Sequence, residues 1–336
     1  MRALAFTRYG GPETMSLTDV PTPAPGPGEV LVRVAAAGLN PVDAMQREGG
    51  FKALNPYRFP RTAGNEFSGH IEALGAGVTG WERGQAVVAR VGTAELGALA
   101  DFAVTRAEHL APAPASIPLE DAAGLPLAGL TAQQGLGAGH LDVQPGERLL
   151  ITGAAGGVGQ LAVQLAVLAG AEVTATASSA GEATVRAAGA HHVIDYRART
   201  VSEGHERFDK VFDLVGGDTV TDVLASVERG GRVVTIAGPP TPGSLVGTAA
   251  GPRKAIAAVV ERLMSRKVRG LAKQAGVSYE FFLMHADGAG LAELSRLVDG
   301  GTLTVPVEAR FPLEDYADAF EQLESRRSKG KVIVTM

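Results

Sequence analysis

The stretch LLITGAAGGVGQLAVQLAVLAGAEV, Leu149 to Val173, runs from an apolar strand through a glycine-rich turn into an apolar helix. That order suits a pyrophosphate, because the backbone N–H groups of the turn and the dipole at the helix N-terminus point at the same place. Gly156, Gly157 and Gly159 let the chain turn tightly, approach a ligand and pack the helix on a sheet, with Ala155 and Val158 completing the loop. NAD-selective sites place an Asp or Glu about 20 residues further on, at the end of the second strand, to bond the ribose hydroxyls. Here that strand ends in ATASSAGE, with no acid before Glu182. Ser178, Ser179, Arg186 and the later Tyr196 are donors suited to a ribose 2′-phosphate, so NADPH is the expected cofactor. The plainer alternative is that the serines only turn the chain.

A second constellation is AGNEFSG, Ala63 to Gly69, where Asn65 and Glu66 stand isolated among small residues. Such a pair positions a ligand or makes a tight turn, and the stretch alone does not choose. Other chemistry has little support. The chain has no cysteine, which removes disulfides, thiolate nucleophiles and Cys-based zinc sites together. The seven histidines form no spaced set with Asp or Glu that suggests a hydrolase triad or a metal cage.

The elements that must hold these residues change character along the chain. The first third reads as β structure: EVLVRVAAAGL, GHIEALG and QAVVARV are strand candidates bounded by Pro and Gly. From about residue 120, RLLITG, EVTATAS, HHVIDY, KVFDLVG and RVVTIAG are apolar strands alternating with helices or long turns. That rhythm implies βαβ units and a doubly wound parallel sheet. YEFFLM (279–284) is a sixth strand, followed by a helix at GLAELSRLVDGG, a strand at LTVPVEA, a helix at PLEDYADAFEQLES and a last strand, KVIVTM. At 336 residues two lobes are expected, since single cores stop growing near 250–300.

Composition is that of an ordinary globular protein, 45% hydrophobic and 20% charged with net charge −5. The acidic balance argues against nucleic acid or anionic lipid as an overall partner, and neither is expected. Arg8 interrupts the N-terminus too early for a signal peptide, so a cytoplasmic location is expected. One segment departs from the average: PRKAIAAVVERLMSRKVRGLAKQ (252–274) carries Arg253, Lys254, Arg262, Arg266, Lys267, Arg269 and Lys273 against Glu261 alone. Ile256, Val259, Val260, Leu263 and Met264 recur at helical spacing, which predicts a surface helix packed by that apolar face. Basic amphipathic helices also contact membranes, partner grooves or RNA.

The motifs AAGLNPVDAMQREG, PRTAGNEFSGHIEALGAGVTGWERGQAVVA, LPLAGLTAQQGL, LLITGAAGGVG, GAHHVIDY, FDLVGG, GRVVTIAG and GKVIV together resemble the zinc-free quinone oxidoreductases of the medium-chain dehydrogenase/reductase superfamily, over nearly the whole chain. The resemblance implies a GroES-like β-rich catalytic domain made of residues 1–122 and 286–336, and a Rossmann dinucleotide-binding domain at 123–285, with the active site in the cleft between. It implies homodimers. It also explains AGNEFSG: the positions matching Asn40, Asn65 and Leu127 are a cysteine, a histidine and usually a cysteine zinc ligand in the zinc alcohol dehydrogenases. Amide and aliphatic side chains cannot form that N/S site, so no metal is expected.

Reducing a quinone or enone does not need a Lewis acid, because hydrogen bonds can stabilise the delocalised phenolate or enolate that hydride transfer creates. Hydride transfer from NADPH to such an acceptor is therefore the implied reaction, with protonation from water or a nearby donor. By the resemblance, Asn40 and Thr131 are expected to line the nicotinamide end, with Asn40 a donor to a substrate or cofactor oxygen or else a turn residue before Pro41. Asp43 lies nearby, and the spacing to Arg47 one turn on suits an ion pair. Tyr57 is expected either to stack on or bond to a flat substrate or to serve in packing. The resemblance also implies that Val215, Gly216, Ala237, Gly238 and Lys331 lie near the cofactor. The chain departs from many NADPH-dependent relatives at Gly181, where they carry a lysine. A pathway-specific enoyl or enone reductase, or an NADPH-binding protein with a non-catalytic role, are the rival readings.

Overall fold

The structure is a computed structural model and describes residues 1–92, 95–245 and 253–336. The chain forms two compact units, Thr131–Met284 and the paired chain ends Met1–Leu130 with His285–Met336. The sequence reading divides the chain at 122/123; the contacts move that division into helix Pro126–Leu136. The reason is local: the Leu127 N–H, in the first turn, donates to Glu66 at 2.6 Å and ties the helix start to the first unit.

Thr131–Met284 is built on one six-stranded parallel sheet in the order His192–Asp195, Glu172–Ala177, Arg148–Ile151, Phe208–Asp213, Val227–Thr235, Ser278–Phe281. Counted along the chain this is 3-2-1-4-5-6, the doubly wound order that opens a ligand crevice at the carboxyl ends of the strands where the order reverses. Leu149, Leu150 and Ile151 are fully buried, as a central strand covered on both faces requires.

The chain-end unit contains a mixed sheet in which Val307–Pro312, Lys331–Thr335, Glu29–Leu39, Glu66–Leu74, Ala86–Arg90 and Leu110–Pro112 follow one another, with Phe102–Arg106 also on Glu29–Leu39. Two registers matter for function. Val332 lies opposite Leu39, and Phe67 opposite Ala37, so Lys331, Asn40 and Glu66 come to the same end of three adjacent strands. A smaller sheet pairs Arg2–Phe6 with Met15–Asp19 and Arg61–Thr62. Its first strand was not legible as one, because Ala3 to Phe6 are all buried and leave no polar alternation after Arg2. Helix Gly288–Asp299 starts two residues before the expected Gly290, because Asp287 caps it by accepting from Ala289 and Gly290 N–H at 3.0 and 3.1 Å.

Candidate active site

The glycine-rich turn is shaped by its own backbone. Gly153 takes a left-handed φ of +60°, and the turn enters helix Gly157–Leu168 through an extended Gly156. The first intrahelical bond to form is Gln160 N–H to Gly156 O at 3.0 Å, so the N–H groups of Gly157, Val158 and Gly159 have no carbonyl within the helix to bond. No side chain caps this end and no acid lies in the first turn. The arrangement favours an anion, and the residues present fit a dinucleotide pyrophosphate.

Two glycines of the turn do different work. A Cβ on Gly159 would lie 2.5 Å from both Ala154 Cα and Gly153 O, inside immovable backbone, whereas one on Gly156 meets only Gly153 O, at 3.5 Å. Gly159→Ala is therefore expected to destabilise the unit itself. Gly156→Ala should cost less than about 1 kcal/mol of stability yet raise the dissociation constant of a nicotinamide dinucleotide tenfold or more. Thermal melts and titration calorimetry on both variants separate the effects. A Gly156→Ala protein that binds the dinucleotide like the wild type would exclude the turn as a phosphate cradle.

Asp213 is the residue that sequence reasoning missed. It is fully buried at the end of its strand and accepts from Thr152 Oγ1 at 2.7 Å, Thr235 Oγ1 at 2.8 Å, Val215 N at 3.2 Å and Gly216 N at 3.2 Å. Thr152 in turn accepts from Leu214 N, and Thr235 from Ala237 N and Gly238 N. One carboxylate thus ties the carboxyl ends of three neighbouring strands and both loops expected near the nicotinamide. Gly216 has φ +69°, and a Cβ there would fall 2.0 Å from Ala237 O, so those loops touch only because the residue is glycine. The available signal was an acid directly after the apolar pair Val211–Phe212 and just before a Gly-Gly turn, in FDLVGG.

At the end of the second strand, Ser178 begins a short turn without using its side chain as a cap. The Tyr196 N–H donates to Ala177 O at 3.4 Å, which brings the exposed Tyr196 ring beside it. Arg197 lies over that ring, 5.9 Å from its centre, and was not anticipated. Arg186, expected as a phosphate donor, instead donates to Glu182 one turn away at 2.9 Å.

In the chain-end unit the residues expected to face a ligand form a closed polar network. The Lys331 ammonium donates to Leu39 O at 2.8 Å, to Glu66 Oε1 at 2.7 Å and to Asn40 Oδ1. Three acceptors use its three protons, so the structure does not leave Lys331 a donor for a cofactor phosphate. Asn40 Nδ2 donates to Glu66 Oε1 at 2.6 Å and to Gly38 O at 3.3 Å. Its amide is spent as well, contrary to the expected donation to substrate. Glu66 completes the set by capping helix Pro126–Leu136 through the Leu127 N–H. Gly38 makes room for this: a Cβ there would lie 2.5 Å from Glu66 Oε1.

A second layer lies against the first. Asn65 Nδ2 donates to Asp43 Oδ1 at 2.6 Å and to Gln46 Oε1 at 2.7 Å, and Gln46 donates back to Asn65 Oδ1 at 3.3 Å. Asp43 also accepts the Asn40 N–H at 2.8 Å, fixing the start of helix Pro41–Glu48. Burial pushes the Asp43 carboxyl up to about 6, while the Asn65 and Asn40 hydrogen bonds and the Lys331 charge pull it back. The expected Asp43–Arg47 pair does not form. Arg47 turns the other way and bonds Glu324 at 2.7 Å, because Asp43 is committed to Asn40 and Asn65. Arg90, also buried, donates to Asn65 O at 3.4 Å, so two cations balance Asp43 and Glu66.

Tyr57 is half-buried in an aromatic cluster with Phe6 and Tyr9, ring centres 5.9 and 6.1 Å away, and burial raises its phenol above the ordinary value. Thr131 is buried in the middle of helix Pro126–Leu136.

Residues 26–115 match the alcohol dehydrogenase GroES-like domain, and residues 188–334 match the family described as zinc-binding dehydrogenase. The chain is 31% identical to the NADPH-dependent alkenal/one oxidoreductase of Arabidopsis thaliana, over 99% of this chain and 79% of that protein. It is similar to the quinone oxidoreductase structure from Coxiella burnetii, with TM-score 0.86 and 28% identity over 100% of this chain and 99% of that one. It is also similar to the Escherichia coli quinone oxidoreductase solved with NADPH, with TM-score 0.84 and 27% identity over 100% of both chains. The zinc in the family description does not fit the side chains present. Asn40 and Asn65 are amides pinned by other groups, and the Glu66 carboxylate is already paired with an ammonium. The chain belongs to the medium-chain dehydrogenase/reductase superfamily, as a nicotinamide-dependent oxidoreductase of the quinone-oxidoreductase type.

Proposed function

We propose that the protein is a zinc-independent, NADPH-dependent reductase of quinones or other α,β-unsaturated carbonyls. The observation that carries this reading is the Lys331–Glu66–Asn40 network, which puts an ammonium and an amide where a zinc enzyme needs ligands. Without a Lewis acid, the acceptor must be one whose product anion is delocalised, and a conjugated carbonyl meets that requirement. When bound, the reduced nicotinamide supplies the hydride. The glycine turn holds the pyrophosphate, and the loops tied to Asp213 orient the rest of the cofactor. Hydride and one proton convert an enone to a saturated ketone, and a quinone to a hydroquinone. Both Asp43 oxygens already accept hydrogen bonds, so the proton is drawn from water. Tyr57 offers a flat wall to a conjugated substrate.

For NADPH over NADH, the support is a second strand that ends in serines without an acid, beside Tyr196 and Arg197. Turnover is measured as loss of NADPH absorbance in EDTA, over a panel of quinones and enones, with NADH in parallel. Activity insensitive to EDTA and favouring NADPH is expected, and the better acceptor class distinguishes a quinone reductase from a dedicated enone reductase. Arg197→Gln should raise KM for NADPH roughly tenfold or more, the worth of one charge-assisted hydrogen bond, and leave NADH unchanged. Tight NADPH binding without turnover on any acceptor would favour a non-catalytic binding protein instead.

A further inference from the structure

Helix Arg253–Ala275 presents three faces where the sequence predicts two; the Pro252 that opens the basic segment lies outside the described residues. At 3.6 residues per turn, Ala257, Glu261, Ser265, Val268 and Ala272 form one stripe, and all five are buried. The residues expected to pack point elsewhere: Val259, Val260, Leu263 and Met264 are 59%, 42%, 67% and 55% exposed. They form two rows of i,i+4 neighbours lying side by side. Next to them runs a third stripe, Arg262, Arg266, Arg269 and Lys273, all exposed and none held in an ion pair among the described residues.

We propose that this helix docks the protein on an anionic membrane surface. A helix lying in the interface needs apolar side chains that reach the acyl boundary and cations at headgroup height, and here both stand on the outward side of one helix. The buried stripe from Ala257 to Ala272 is anchored in the protein's own core, so docking requires no unfolding. A lipid surface satisfies both outward rows at once. A second copy packed through this face would instead set two basic rows against each other. Contact is peripheral, since among the described residues no helix is long and apolar enough to cross a membrane. The expectation of no membrane partner rested on the acidic net charge and on an apolar face turned inward, and that face is turned outward.

The test is co-sedimentation of the full chain with vesicles of phosphatidylcholine alone or mixed with phosphatidylserine, and its readout is independent of turnover. Binding is expected only to the mixed vesicles, and only at low salt, because the charge component is screened within a few ångströms at molar salt. The triple variant Arg262→Gln, Arg266→Gln, Arg269→Gln should weaken binding roughly a hundredfold, at about fivefold per cation. Leu263→Glu with Met264→Glu should abolish it while leaving the melting temperature and NADPH turnover unchanged. Failure of the wild type to bind mixed vesicles would overturn the proposal, as would binding that the Leu263→Glu, Met264→Glu variant retains. A solution dimer that this variant splits would overturn it too, making the face an interface between copies.

Discussion

Lys331→Met is expected to lower stability by about 3–5 kcal/mol, the cost of leaving one member of a buried ion pair without its partner. In a chain of this size that corresponds to a drop in melting temperature on the order of 10 °C. Methionine fills the space of the lysine stem, so the loss reports charge more than volume. The deficit should depend on pH in a defined direction. Asp43 is already raised to about 6 with the lysine charge pulling it down, so removing that charge moves it higher. A carboxyl raised in the folded state favours folding below that value and loses the benefit as pH rises through it. The variant therefore falls furthest behind the wild type at neutral pH and gains on it toward pH ~4.

The partner mutation sharpens the test. Glu66→Gln alone leaves Lys331 facing an amide. With both changes Asn40 is free to flip, so that the new amide at position 66 donates to Asn40 Oδ1 while its oxygen still accepts the Leu127 N–H. The double variant should then recover part of the loss, with a coupling energy of roughly 1–3 kcal/mol in a thermal double-mutant cycle. A single variant melting within a degree or two of the wild type, or a double variant no better than the single, would show that the pair contributes nothing. At temperatures well below melting, Lys331→Met should change the NADPH dissociation constant little, because its three protons are spent on protein oxygens.

Why the sequence revealed the glycine turn but not this network follows from the distance along the chain over which each is encoded. Strand, turn and helix at 149–173 are contiguous, and the steric roles of Gly156 and Gly159 follow from their immediate neighbours. The doubly wound parallel sheet likewise followed from the alternation of apolar runs with helices, whereas the order of its strands is seen only in the structure. Lys331 and Glu66 are 265 residues apart and meet only through two strand registers that no local pattern specifies. Resemblance placed Lys331 near the cofactor; register places it opposite Asn40. The basic helix fails differently. Its apolar spacing was visible, but its buried face was chosen by Glu261, whose carboxylate accepts from Gly243 N at 2.7 Å and from Leu245 N. A buried polar anchor overrode the apolar stripe. An acid in a helix reads from sequence as a solvent residue, so the outward turn of Leu263 and Met264 was not legible.

Asp213→Asn, although nearly isosteric, is expected to impair cofactor binding more than its size suggests, because Asp213 is surrounded by donors alone. Thr235 Oγ1 accepts from Ala237 N and Gly238 N, so its hydroxyl proton must go to residue 213. Thr152 Oγ1 likewise accepts from Leu214 N, so both hydroxyl protons need the one amide oxygen. That oxygen settles on the side of Thr152, Val215 and Gly216, where it keeps three donors, and the NH2 then faces Thr235. The Thr235 hydroxyl proton is left with no acceptor. One stranded donor set against an amide NH2 predicts a stability loss of about 1–3 kcal/mol. The loss is directional: residues 237–238, held through Thr235, loosen while 214–216 stay bonded. Amide hydrogen exchange should therefore accelerate at Gly238 and not at Val215, and the NADPH dissociation constant should rise at least tenfold in calorimetry. Equal acceleration of both loops would mean that Asp213 supports the strand ends as a bulk acceptor without the bond-by-bond division argued from its partners. Unchanged affinity would separate these loops from the cofactor altogether and return the nicotinamide end of the site to other residues.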